Sequence, residues 1–187
     1  MILIDVFSVR RIQARMGQHH KKAPAVIARA LNRAVENART NVVSKTREDY
    51  YVKASEVRST IRIEKASSSR LMAKVNARDT RRELIGFKVR PGKPNSKKPP
   101  AVIRVAVKKN GFKELPGAFL AAGTSSGKVH VLKRARKARY PLLIKYGPSI
   151  PEMIGQPKIR IYVENEAKVT FEKRLDHEIN RLLGANT

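Results

Sequence analysis

The chain has 187 residues, with 41 Lys and Arg against 15 Asp and Glu, so its formal net charge is +26. A compact protein with this charge repels itself, and we therefore expect a polyanion or an acidic protein surface as its partner. The absence of cysteine excludes a disulfide framework and a thiol nucleophile, and no apolar run approaches the length of a membrane span.

Residues 1–22 carry no recognisable functional motif. A short edge strand is predicted from three apolar residues, Ile2, Ile4 and Phe7. Residues 1–8 lack the basic stretch of a signal peptide, which favours the strand. Residues 9–22 are predicted to be a basic connector. The adjacent His19 and His20 have no acidic or Cys partner nearby, so we do not expect a metal site there.

The longest helical period in the chain covers residues 24–51, and we predict one long helix there. Pro24 suits its first turn, where the missing N–H of proline costs nothing. The apolar face of this helix is rich in alanine, so another helix or a sheet can approach it closely. Its apolar positions have the i, i+3, i+4 spacing of one helical face and are Ile27, Ala30, Leu31, Ala34, Ala38 and Val42.

The region after this helix changes from helical to alternating polarity, which predicts antiparallel strands. A short helix over residues 52–60, with Ser55 as its N-cap, is expected to come first. The predicted strands and apolar segments cover residues 61–66, 71–78, 83–89, 101–107, 112–115, 117–122, 128–133 and 141–146. A helical period returns at the end of the chain, over residues 159–183.

These elements predict an α+β fold in which an antiparallel sheet, open or curled like a barrel, is covered by long N-terminal and C-terminal helices. We expect residues 1–187 to form a single domain. Two extended basic loops, residues 88–100 and 123–139, are predicted to be mobile, because their prolines, glycines and lysines cannot bury themselves.

Charge is distributed unevenly along the chain. Between Glu83 and Glu152 there are sixteen Lys and Arg, and Glu114 is the single acid. Clustered cations contact phosphates or acidic surfaces whatever the base sequence. The candidate contacts to DNA or to an acidic partner are Lys128, Lys133, Arg134, Arg136, Lys137 and Arg139. The 88–100 loop, rich in Pro and Lys, forms an arm. Its candidate contacts are Lys93, Lys97 and Lys98.

The motifs for catalysis do not fit. Residues 123–128 superficially resemble a phosphate-binding loop, but only three residues separate the glycines, and Val129 stands where the metal-binding hydroxyl should be. Paired carboxylates for hydrolysis would need acids in a region that has almost none. His130 has no evident acidic partner in sequence, so a structural role is expected. We therefore predict a protein that is not an enzyme and needs no cofactor.

Six motifs follow one another from about residue 23 to residue 183. They are PAVIARALNRA at 24–34, PGAF at 116–119, VHVLKR at 129–134, RYPLLI at 139–144, YGPSIPEM at 146–153 and FEKRLDHEINRLL at 171–183. Together with the high basicity, these motifs and their order resemble the minor tail protein Z family of long-tailed bacteriophages and prophages, which includes lambda-like tail-completion proteins.

The resemblance implies a structural virion protein that acts late in tail assembly, at the end of the tail that meets the head. It also implies small α+β subunits arranged as a cyclic, six-fold ring around the axis along which DNA passes. The implied partners are further copies of the chain, the tail terminator, the tail tube and head-completion proteins, with double-stranded DNA in the channel and no membrane. Assembly in the host cytoplasm is expected.

The charge alone favours a different class, a sequence-independent nucleic-acid-binding protein associated with the nucleoid or the ribosome. Base-specific readout is not expected, because the sequence has no recognition-helix or zinc-finger pattern and few aromatic residues near its charges. Neighbouring tail or head genes, or rings seen by negative-stain imaging, would favour the virion class.

Overall fold

The computed structural model describes residues 2–5, 9–95, 100, 102–123 and 127–184. The chain is organised around α2 (Ala23–Asp49), which packs along α5 (Pro157–Leu183) more extensively than against any other described element. Two ion pairs join the opposite ends of these helices. Arg29 Nε lies 2.6 Å from Glu178 Oε2, and Lys158 Nζ lies 3.2 Å from Asp49 Oδ1, so the helices are antiparallel.

Both long helices confirm the predicted apolar faces. On α2 the six predicted apolar positions are all buried. On α5 the buried residues are Ile159, Val163, Ala167, Leu175 and Ile179, with Phe171 and Leu182 partly buried beside them. The alanines of α2 allow the close approach between helices that the sequence predicted.

The N-terminal segment differs from the prediction. Residues 9–22 are not a basic connector but a helix, α1 (Val9–Met16), continued by a 3-10 helix over Gly17–Lys22. Ile12 and Met16 are four residues apart and both are buried, so an apolar side of α1 packs inward despite its charge. The predicted edge strand is β1 (Ile2–Asp5), while Phe7 lies outside the described residues.

The short helix after α2 also begins differently from the prediction. It is α3 (Ala54–Thr60), and its N-cap is Lys53 rather than Ser55, which lies inside the helix. The backbone N–H of Lys53 donates to Glu56 Oε2 at 3.0 Å. The acid at the third helical position therefore satisfies the N–H of the capping residue.

The described strands form three antiparallel sheets of three strands each, and none of these sheets closes into a barrel. The first has the order β1-β3-β2, with β2 at Ile61–Glu64 and β3 at Met72–Ala77. The second has the order β4-β5-β6, at Lys88–Arg90, Ile103–Ala106 and Lys113–Leu115. The third has the order β7-β8-β9, at Ala118–Ala122, Val129–Arg134 and Leu142–Ile144. The α+β class is confirmed.

Residues 83–89 do not form the predicted strand. A 3-10 turn over Leu84–Gly86 comes first, and β4 begins only at Lys88. Leu84 and Phe87 are three residues apart and both are buried, a spacing that suits a 3-10 turn and not the alternation of a strand. Residues 88–90 of the predicted 88–100 loop are therefore part of a sheet.

One hydrophobic cluster connects both long helices to all three sheets. Leu31 of α2 and Val163 of α5 belong to it, as do Val75, Ile103 and Val131 from the first, second and third sheets. Before α5, the short helix α4 (Ile150–Ile154) is capped by Ser149, whose N–H donates to Glu152 Oε2 at 2.7 Å.

Candidate interaction surface

The basic cluster predicted from the sequence lies on the hairpin that joins β8 to β9. The register pairs Lys133 with Leu143 and Arg134 with Leu142. The hairpin continues one step further, because the N–H of Ala135 donates to the carbonyl oxygen of Pro141 at 3.0 Å. Residues 136–140 therefore form its tip. We call residues 133–140 the basic hairpin.

The structure brings five of the six predicted cluster residues together on this hairpin. Lys133 and Arg134 are the last two residues of β8, and successive strand residues point to opposite faces. The tip adds three exposed cations, Arg136, Lys137 and Arg139. The basic hairpin therefore presents positive charge on both faces and at its end.

These five cations have no acidic partner in the described part of the chain. The Arg139 guanidinium lies 5.6 Å from the ring of Tyr140, which is 64% exposed. All five lie within eight residues of sequence. Their electrostatic potentials therefore add at points within about one Debye length of the hairpin, ~8 Å at physiological salt. The arrangement attracts an anion and offers no internal charge to compete with it.

Lys128 belongs to a different environment. It lies at the other end of β8, where its Nζ is 2.9 Å from Glu83 Oε1. His130 Nδ1 lies 2.7 Å from the other oxygen of the same carboxylate. The hydrogen bond from Lys128 holds the pKa of Glu83 below its usual range; burial opposes this shift, and the hydrogen bond with His130 adds to it. No local pattern in the sequence indicates Glu83 as a partner, since 47 residues separate it from His130.

The predicted arm contacts are only partly within the described residues. Lys93 is exposed and lies three residues after the end of β4, while Lys97 and Lys98 lie outside the described residues. Lys93 has no ion pair in the described part of the chain. Its role as an arm contact stays a prediction.

In the described ranges no three His, Cys, Asp or Glu side chains cluster so that they could hold a metal ion. Of the helices in the described part of the chain, none is long and apolar enough to cross a membrane.

A model of one protein family, prophage minor tail protein Z (GPZ), matches residues 14–186. The chain belongs to this family. Among curated proteins and among solved structures, nothing matches it. The family match begins inside α1 and includes both long helices and the whole basic hairpin. As a phage minor tail protein, the chain is a structural component of the virion tail and contacts other tail proteins.

One feature of this minor tail protein could not be found from the sequence. Where α2 ends, a cleft is lined by aromatic and cationic side chains from three separate segments. We call it the basic cleft. Its lining residues are Arg47, Tyr50, Tyr51, Val52, Lys53, Gly86, Phe87, Lys88 and Lys109. The Tyr50-Tyr51 pair directly after the long helix is the one local signal in the sequence.

Proposed function

We propose that this minor tail protein is a non-enzymatic tail-completion component that forms a cyclic ring at the head-proximal end of the tail. In this ring the basic hairpin faces either the DNA of the channel or an acidic surface of a neighbouring tail or head protein. The ring joins the head to the tail and holds or passes the DNA. Six-fold symmetry is part of the proposal.

The basic hairpin carries the proposal. Five exposed cations that have no acidic partner among the described residues, at and next to the tip of a hairpin, suit contacts to phosphates. If each cation neutralised one phosphate, affinity would fall roughly 500-fold between about 50 and about 200 mM salt. A hairpin that was merely solvated would show no such dependence.

The surface also supports a ring. A head-to-tail ring requires two different patches on each subunit that fit one another. Two groups of exposed large apolar residues are found on separate elements. The first lies on and beside the basic hairpin and comprises Tyr140, Leu143 and Tyr146; the second lies on α5 and comprises Ile161, Tyr162, Val169 and Leu183. Two of the three strands in each sheet are also edge strands, which neighbouring copies can cover.

The test is a variant in which five residues are replaced by Gln: Lys133, Arg134, Arg136, Lys137 and Arg139. All five are exposed, so we expect the variant to fold as the parent does. Phage carrying it should show fewer joined heads and tails or lose packaged DNA, and its difference from the parent should narrow as salt is raised, because salt weakens the charge contacts that only the parent makes. Particles with full infectivity would show that the hairpin is only solvated.

Imaging distinguishes this proposal from the nucleic-acid-binding class that the net charge favours. Negative-stain images of purified protein and of particles should show rings, or material at the head-proximal end of the tail. Protein that coats duplex DNA without forming rings, and is absent from particles, would instead favour a nucleoid- or ribosome-associated role.

A further inference from the structure

The basic cleft is a shallow, open concave site that the proposed function does not use. It has a volume of about 410 Å³ and lies where the C-terminal end of α2 meets β4 and the turn after β5. Tyr50, Tyr51 and Phe87 supply its aromatic lining. Its cationic side chains are Arg47, Lys53, Lys88 and Lys109.

Tyr51 holds two of these cations in place. The Lys88 Nζ lies 5.0 Å from the centre of its ring, and the Lys109 Nζ lies 6.0 Å from it. The negative face of an aromatic ring attracts an ammonium group and limits its conformations. Two of the four cations are therefore already positioned before any ligand arrives, which lowers the entropy lost on binding.

The acids nearest the cleft in sequence bind other cations. Glu48 pairs with Lys45 at 2.7 Å, Asp49 with Lys158 at 3.2 Å, and Glu56 with Arg82 at 2.9 Å. In the part of the chain that the structure describes, none of the four cleft cations has an ion-pair partner. The C-terminal end of α2 contributes only about half a negative charge. The cleft therefore has a large uncompensated positive charge.

We propose that the basic cleft binds a short acidic segment of a partner protein, whose Asp or Glu carboxylates pair with these four cations. This binding depends neither on the ring nor on contact between the basic hairpin and DNA. It gives the subunit a second, separate attachment point.

The geometry favours an acidic peptide over a nucleic acid. Two ammonium groups already lie close to the Tyr51 ring, and Phe87 is only 7% exposed, so a base that stacked on either ring would compete with groups already in place. A rigid duplex presents its phosphates on a convex surface, which suits the projecting basic hairpin better than a cleft. A flexible peptide can place single carboxylates inside a concave site.

The experiment measures the binding of a fluorescein-labelled oligoglutamate peptide to the full chain by fluorescence anisotropy. The cleft variant carries Lys53→Gln and Lys88→Gln. The control carries Lys21→Gln and Lys22→Gln, which remove the same charge from exposed residues of the 3-10 helix before α2. We expect the cleft variant to bind about tenfold more weakly, as the loss of two exposed charge pairs implies, and the control to change by less than about twofold.

Equal weakening in both variants would overturn the proposal, because the peptide would then sense only net charge. A single-stranded oligonucleotide is the competing ligand. The proposal also fails if the cleft variant loses more affinity for this oligonucleotide than for the peptide. The five-residue hairpin variant should still bind the peptide, so failure of the ring proposal and failure of this one can be told apart.

Should the cleft variant fail to fold, the parent chain decides the question by NMR. Adding the peptide should shift the amide signals of Tyr51, Lys53 and Lys109 at lower peptide concentration, and by more, than that of Lys137. Shifts confined to the basic hairpin would place the peptide there and overturn the proposal.

Discussion

Glu83 Oε2 lies 2.7 Å from His130 Nδ1, although 47 residues separate the two in sequence. This contact connects the segment before β4 to β8, the middle strand of the third sheet. Lys128 binds the other oxygen of the same carboxylate. Backbone hydrogen bonds reinforce this connection, since the N–H of Leu84 donates to the carbonyl oxygen of Lys145 at 2.9 Å. The carboxylate therefore helps to hold the sheet that carries the basic hairpin.

This relationship predicts how stability depends on pH. The hydrogen bond from Lys128, opposed by burial and aided by His130, lowers the pKa of Glu83 in the folded state. A glutamate with a lowered folded pKa contributes stability above its ordinary pKa of about 4.3, and loses that contribution as the pH falls through the lowered value. Glu83→Gln should therefore reduce the loss of stability in acid.

Urea unfolding followed by circular dichroism between about pH 6 and about pH 3 measures this effect. Glu172→Gln, at an exposed position of α5, is the matched control and should leave the acid dependence as it is in the parent. Identical pH profiles for Glu83→Gln and the parent would contradict the prediction.

The close approach of α2 to its neighbours predicts the effect of a larger side chain. Ala38 is fully buried on α2, so Ala38→Leu must displace packed neighbours and should destabilise the fold by ~1–3 kcal/mol. Ala14→Leu, on the exposed side of α1, should change stability by no more than about 0.5 kcal/mol. Chemical denaturation of both variants provides the comparison, and equal effects would contradict it.

Asn32 fixes the turn after β2 to the long helix. Its side-chain amide donates to the carbonyl oxygen of Ala66 at 3.0 Å and accepts from the N–H of Ala66 at 2.8 Å. Asn32→Ala leaves both backbone groups without this partner, at a cost of ~1–3 kcal/mol. The gain in helix propensity offsets only about 0.5 kcal/mol of this cost.

Urea titration of Asn32→Ala gives its free energy of unfolding, which measures the loss of the two hydrogen bonds net of the gain in helix propensity. Asn165→Ala gains the same propensity at an exposed position of α5, and it should be neutral or slightly stabilising. If Asn32→Ala proved as stable as this control, the two hydrogen bonds would contribute nothing net.

Gly147 is required by close packing and not by its backbone conformation. A Cβ at this position would lie 2.8 Å from Phe87 Cε2 and 3.1 Å from Leu84 Cδ2. Gly147→Ala should therefore displace these buried side chains and cost ~1–3 kcal/mol. At Gly92 the nearest atom to an added Cβ is 3.8 Å away, so Gly92→Ala should be tolerated. Thermal unfolding of the two variants distinguishes them.

Assembly should change how fast the backbone amide hydrogens of the basic hairpin exchange with solvent. Residues 136–140 are exposed and belong to no strand, so we expect their amides to exchange rapidly in the isolated subunit. Burial against neighbours or DNA in the assembled particle should slow them. Hydrogen exchange followed by mass spectrometry tests this, and equally slow exchange in both states would contradict the prediction.

The sequence by itself determined the elements whose signal is local. The apolar period that includes Leu31 and Ala34 predicted α2, and alternating polarity predicted most of the strands, because a regular backbone imposes its own spacing on buried side chains. The basic hairpin was also predicted as a charge cluster, since its five cations are neighbours along the chain.

Only the tertiary structure decided which distant residues meet. The pairing of Glu83 with His130, and the convergence of Lys88 and Lys109 on Tyr51, depend on how helices and sheets pack. Short elements such as α1 also depend on packing, because a helix of this length is marginal by itself. The basic segment is helical where Ile12 and Met16 are buried in the core. Long-range contacts of this kind are set by the whole fold and have no period that a single sequence displays.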